Sequence, residues 1–112
     1  MAALSDHAEN LVLNWLMTSG TATRPTAWYV ALYTSAPNDA GGGTELSGSG
    51  YSRQSVAFTT ASGTGGTTSN SGAVTFTAAG GDWGTVTHMG IHDAASAGNL
   101  IWHGSLAASK NI

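Results

Sequence analysis

The chain has 112 residues, 41% hydrophobic and 8% charged, with 16 glycines, no cysteine and a formal net charge of −3. A typical soluble domain carries about 25% charged residues; here Gly, Ala, Ser and Thr fill the deficit, and the three scattered bases, Arg24, Arg53 and Lys110, make no nucleic-acid footprint and no basic membrane-surface helix. No run approaches the ~18 apolar residues of a membrane span, no leader signature opens the chain, and without cysteine stability must come from packing or assembly.

The length suits one domain, residues 1–112. The first element is a helix over about residues 5–18. Ser5 is a good N-cap, and Asp6 and Glu9 place acids where the helix dipole favours them. Ala8, Leu11, Val12, Trp15 and Leu16 follow the i, i+3, i+4, i+7, i+8 spacing of one helical face. That face, and in particular Leu11, Val12, Trp15 and Leu16, is the candidate packing or subunit interface. Gly20 offers a stop, and Pro25 prevents continuation.

From about residue 26 the period changes to two. Residues 26–34 (TAWYVALYT) are aromatic and β-branched and apolar on both faces, which predicts a central strand covered on both sides. Residues 35–50 read as a loop with a short edge strand at 44–46. Residues 51–60 form a further strand region, and 61–71, nearly all small and polar, a connection. Residues 72–78 (GAVTFTA) alternate, with Val74 and Phe76 on one face. Residues 83–93 (WGTVTHMGIHD) predict a long strand presenting Trp83, Thr85, Thr87, Met89 and Ile91 together. A turn at 94–98 leads to a strand over 99–106, with Leu100, Trp102 and Leu106 on one face and Ile101 on the other; residues 107–112 continue it as an edge. One helix followed by five or six turn-separated strands predicts a mainly β fold: an antiparallel β-sandwich, jelly-roll-like, or a small barrel, with one N-terminal α-helix.

Several constellations invite a chemical reading. His88 and His92 have HxxxH spacing, but on a strand at ~3.3 Å per residue they stand about 13 Å apart, too far to share one metal ion. His103 on the next strand could approach one of them; the plainer reading is locally hydrogen-bonded imidazoles. No GxSxG elbow is present, and Asp39, Asp82 and Asp93 read as turn residues bonding nearby backbone. The glycine runs at 41–43 and 65–66 lack the strand-to-helix context and lysine of a phosphate loop. Among the aromatics, Tyr51 and Trp83 are the best placed for a sugar platform, although core packing is the usual fate of such residues. No catalytic residue, metal site or cofactor is expected.

The run from Asp82 to Asp93 (DWGTVTHMGIHD), then Gly98-Asn99-Leu100, resembles a small protein family encoded in tailed-phage structural gene clusters. The resemblance extends back through Tyr29–Thr34 (YVALYT) and Gly50-Tyr51-Ser52-Arg53 to the opening Leu4-Ser5-Asp6 with Glu9-Asn10. Such proteins are commonly labelled phage tail fibre proteins, and similar small β proteins serve as capsid decoration or cement proteins. The resemblance implies a virion structural protein with no catalytic residues. Its partners would be the major capsid protein or other virion proteins, and it would form a homo-oligomer, trimer favoured, without nucleic acid or membrane. The short, repeat-free length favours a decoration protein stabilising the assembled head; the alternative is a tail fibre or tail-tip module binding host-surface glycans. The loops at 37–50 and 61–71 are the expected neighbour contacts.

Overall fold

Ser5 starts the helix by satisfying a backbone group that no residue inside the helix can reach. In the computed structural model, which describes residues 3–48, 50–61, 68–77 and 83–112, its side chain accepts a hydrogen bond from the Ala8 amide at 3.1 Å. The helix α1 runs Asp6–Met17 and ends at Thr18, before Gly20; the Thr18 hydroxyl donates to the Asn14 carbonyl at 2.7 Å and accepts from the Gly20 amide at 3.0 Å. The strands are β1 Ala3–Leu4, β2 Trp28–Ser35, β3 Thr44–Glu45, β4 Gln54–Val56, β5 Thr85–His92 and β6 Leu100–Asn111.

Among the described residues all six strands join one antiparallel sheet in the order β1-β6-β5-β2-β3, with β4 on the same edge of β2 as β3. The protein is therefore mainly β with one short N-terminal helix. Among the described residues the strands form this single sheet, and residues 68–70 with Val74 and Phe76 border one of its faces. Residues 73–77, expected as a strand, have no ladder there; the nearest pairing is a single bridge between Phe58 and Asn70. The alternation is nonetheless real: Val74 and Phe76 are half-buried while Ala73, Thr75 and Thr77 are exposed.

β2 is central, as its apolar faces require, and Val30, Ala31, Leu32 and Tyr33 are all buried. Pairing of Val30 with Ile91 and of Leu32 with Met89 puts these four on one face. Tyr29, Ala31 and Tyr33 share the other with His92, Gly90 and His88. The core lies at the far end of the first face, where Leu32, Leu46, Trp83 and Val86 meet, backed by Tyr51, Phe76, Leu106 and Ile112. Val86, 1% exposed, is the buried residue at the start of β5, whereas Thr85 is exposed. The ladder shifts register between Val86 and His88, so simple alternation from Trp83 to Ile91 does not hold.

A second register shift corrects the reading of β6. Ile91 pairs with Trp102 and His92 with Leu100, so Ile101 is the extra residue of a β-bulge. Leu100 thereby turns to the face of His92 and Gly90, and Trp102 to the face of Ile91. The predicted common face of Leu100 and Trp102 is lost. On its other edge β6 seats the helix: continuing the β1 register, the Ser5 amide donates to the Ile101 carbonyl at 2.9 Å, and the Ser5 hydroxyl donates to the Leu100 carbonyl. Ser5 is consequently 1% exposed and ties the first turn of α1 to the sheet.

Candidate functional site

The face of the sheet that carries Trp28, Val30, Leu32, Met89, Ile91 and Trp102 is an apolar trough. Val56 and Phe58 extend it beyond β2, residues 68–70 with Val74 and Phe76 form its rim, and it encloses about 730 Å³. The bulge matters here as well, because it turns Ile101 into the trough beside Trp102. Trp28 and Ile101 also belong to a second groove of about 500 Å³ between α1, β1 and the segment leading into β2, lined by Leu4, Ala8, Leu11, Val12, Trp15 and Pro25. The two grooves make one continuous apolar strip. Such strips on soluble proteins mark contact surfaces more often than isolated exposed leucines do.

The structure distributes the four helix residues singled out in the sequence unequally. Leu11 is half-buried against the sheet. Val12 lines the groove edge at 46% exposure, Trp15 lines it with 69% of its surface open, and Leu16 stands outside it at 63%. The residue that packs closely is Ala8, at 3%. Leu13 and Met17, which lay outside the predicted face, are as exposed as the rest, at 55% and 71%.

The opposite face carries a polar network. Glu45 from β3 receives Arg53 through two bonds of 2.8 Å, from Nε to Oε2 and from Nη2 to Oε1. It also receives the Tyr51 hydroxyl at 2.7 Å, and that hydroxyl accepts from the Leu32 amide at 3.1 Å. The other side of Arg53 donates to the carbonyls of Ala94 and Ala97 at 2.9 and 2.8 Å, clamping the β5–β6 turn. Within that turn the Asp93 carboxylate accepts from the amide and side chain of Asn99, at 2.7 and 3.1 Å. Burial pushes the Glu45 carboxyl up, but the bonds from Arg53 and Tyr51 outweigh it and hold it below the usual carboxylate range. Burial raises Tyr51 and Tyr33, in each case reinforced by the charge of Glu45.

The histidines sit on this face but do not converge. Tyr33 leans over Gly90, where a Cβ would lie 3.0 Å from its ring, to reach His92; the hydroxyl and Nε2 are 2.6 Å apart. Burial, and then the nearby Arg53 charge, depress the His92 pKa. Its Nδ1 is buried with no hydrogen-bond partner among the described residues. His88 Nδ1 lies 2.8 Å from the Thr87 hydroxyl, and His103 Nε2 lies 2.9 Å from Asp39. Asp39 is thus a long-range partner. The local turn cap is its neighbour Asn38, whose side chain accepts from the amides of Ala40 and Gly42. The Asp39 carbonyl meets the Asp6 amide at the start of α1, which brings the exposed Asp6, Glu9 and Asp39 carboxylates within 4.8 Å of one another. Sequence spacing could not show that cluster, because loop docking creates it. Asp82 and the glycines 65–66 lie outside the described residues.

The sugar platform suggested by Tyr51 and Trp83 is not formed. Trp83 is 5% exposed. Tyr51 meets it edge-on at 5.6 Å and stacks on Phe76 at 6.2 Å. Both rings are spent on the core.

The family described as Podophage GP4 fiber I protein gp80 matches this chain over residues 3–112. No curated protein matches significantly. The chain belongs to that family, and it is a phage fibre-type structural protein.

Proposed function

We propose that the protein is a building block of a fibre-type appendage of a tailed-phage particle and that it works by protein–protein contact, without catalysis or cofactor. The family match across residues 3–112 carries this reading. Two structural features support it. The apolar strip joining the trough to the helix offers a contact surface. The polar groups of the opposite face bond largely to one another and to backbone, as in a frame that holds loops in place. The family's description as a fibre protein draws the placement towards the tail and away from the head decoration that length favoured. Its partners are then other virion proteins.

Mass spectrometry of separated heads and tails tests the placement. The protein is expected with the tail fraction. Recovery from heads alone would overturn the fibre reading in favour of a decoration protein, and absence from both fractions would overturn the virion reading altogether.

A further inference from the structure

The apolar strip ends in a charge. Trp28, Met89, Ile101 and Trp102 line the trough on the same side of the sheet as the core, yet each is only half-buried. The polar residues of the trough, Thr68, Ser69 and Asn70, lie on its rim, and no charged residue lines it. The groove that continues it towards α1 has one charged residue in its lining, Arg24. Arg24 is exposed, and among the described residues no carboxylate pairs with it. The other arginine, Arg53, is engaged by Glu45 and by two carbonyls. The strip is therefore a neutral apolar channel with an unpaired cation at one end.

We infer that this strip binds one long-chain carboxylate of the fatty-acid class, with the hydrocarbon in the trough and the carboxylate at Arg24. The inference does not rest on the fibre reading. An extended peptide is the poorer occupant: the strands spend their backbone groups on one another, so the trough floor has no partners for a peptide's amides and carbonyls. A methylene chain brings no such groups, and each methylene that leaves water favours binding. Size agrees. At about 30 Å³ for a group of water's size, the trough's 730 Å³ accepts on the order of 20 methylenes. Arg24 stands four residues before Trp28, at most about 14 Å of chain, and the trough runs a further ~13 Å along β2 from Trp28 to Leu32. A chain of about sixteen carbons, roughly 20 Å long at about 1.3 Å of advance per C–C bond, reaches from Arg24 past Trp28 into the trough. Carboxylate and guanidinium then meet as the charge-assisted, forked pair that arginine favours.

Calorimetric titration of the full chain with dodecanoate, kept below its micelle-forming concentration, is expected to show one saturable site with a Kd below about 100 μM. Tryptophan emission should shift to the blue as water leaves Trp28 and Trp102. Affinity should rise about fourfold per methylene from octanoate through decanoate to dodecanoate. Dodecyltrimethylammonium, the same chain with a cationic end, should bind about fivefold or more weakly than dodecanoate. Arg24→Gln should weaken dodecanoate about threefold to tenfold and leave the uncharged dodecyl maltoside unchanged. Met89→Trp, which fills the half-open floor with a ring, should weaken both ligands about tenfold or more. Should that variant fail to fold by circular dichroism, Phe58→Glu on the exposed rim takes its place, and its acid should weaken dodecanoate more than dodecyl maltoside. Absence of saturable binding, affinity indifferent to chain length, equal affinity for the two charged ends, or dodecanoate binding unchanged by Arg24→Gln would each overturn the inference. So would binding that Met89→Trp and Phe58→Glu both leave intact. Retention on phosphatidylglycerol vesicles without uptake of monomeric dodecanoate would overturn it in favour of a membrane surface. Head or tail location has no bearing on any of these results.

Discussion

Replacing Arg53 by Met keeps the length of the side chain and removes its charge, which strands Glu45. The Arg53 side chain is 8% exposed and that of Glu45 26%, so the pair is largely withdrawn from solvent. Loss of one partner from a buried pair costs about 3–5 kcal/mol, chiefly because the other charge is left uncompensated. The carbonyls of Ala94 and Ala97 lose their donors as well, although the turn they occupy can take up water. At about 4 °C per kcal/mol for a chain of this size, the melting temperature should fall by roughly 12–20 °C. Adding Glu45→Gln should return a good part of that loss, because the second change removes the stranded charge, and the two substitutions should be non-additive by about 2 kcal/mol or more. Thermal and urea unfolding followed by circular dichroism at pH 7, with protein concentration held equal across variants, measures both effects. An Arg53→Met variant within about 1 kcal/mol of the parent, or a strictly additive pair, would refute the view that this bidentate contact organises the loops.

Acid should destabilise the protein in two stages. His92 is held below its usual value of 6.5, so the unfolded chain takes up that proton first; its stabilising contribution is full above about pH 6.5 and is lost as pH falls through the folded value. Glu45 is held below 4.5, so its contribution is present above that pH and lost on further acidification. Urea titrations at a series of pH values should show both limbs, with Arg53→Met flattening the lower one; stability constant from pH 7 to 4 would contradict this. Ser5→Ala removes a cap and the bond to the Leu100 carbonyl, and should cost about 2 kcal/mol, read by urea unfolding, with fraying of α1 read as lost helical ellipticity. Gly98 has φ +73° and its Cβ would lie 2.5 Å from Asp93 Oδ1; Gly98→Ala should therefore destabilise by about 1–3 kcal/mol, and an unchanged melting temperature would contradict the strain. Trp83→Ala should cost about 3–5 kcal/mol by opening the core among Leu32, Leu46 and Val86.

Local chemistry made α1 and β2 legible in the sequence. A serine cap followed by acids and a 3.6-residue apolar period describes Asp6–Met17 within a residue at each end, since capping and helical spacing act over one or two turns of chain. The doubly apolar run that became β2 reads as a central strand for a similarly local reason. The mainly β class and the tight turn at 93–99 follow from the same kind of signal. What lay beyond the sequence depends on pairing between distant segments. The bulge at Ile101 exists only because β5 and β6 pair out of step, and it decides that Leu100 turns from Trp102; the carbonyls that hold Ser5 are supplied by the pairing of β1 with β6. Tyr51 and Trp83 look like a platform until Leu32, Leu46, Phe76 and Val86, distant in the chain, close the core around them. Part of the apolar helix face stayed open in the fold: Ala8 and Leu11 pack while Val12, Trp15 and Leu16 remain exposed, which spacing along the helix could not tell. Propensity and period are properties of neighbours along the chain; register, bulge and burial belong to partners brought together by folding.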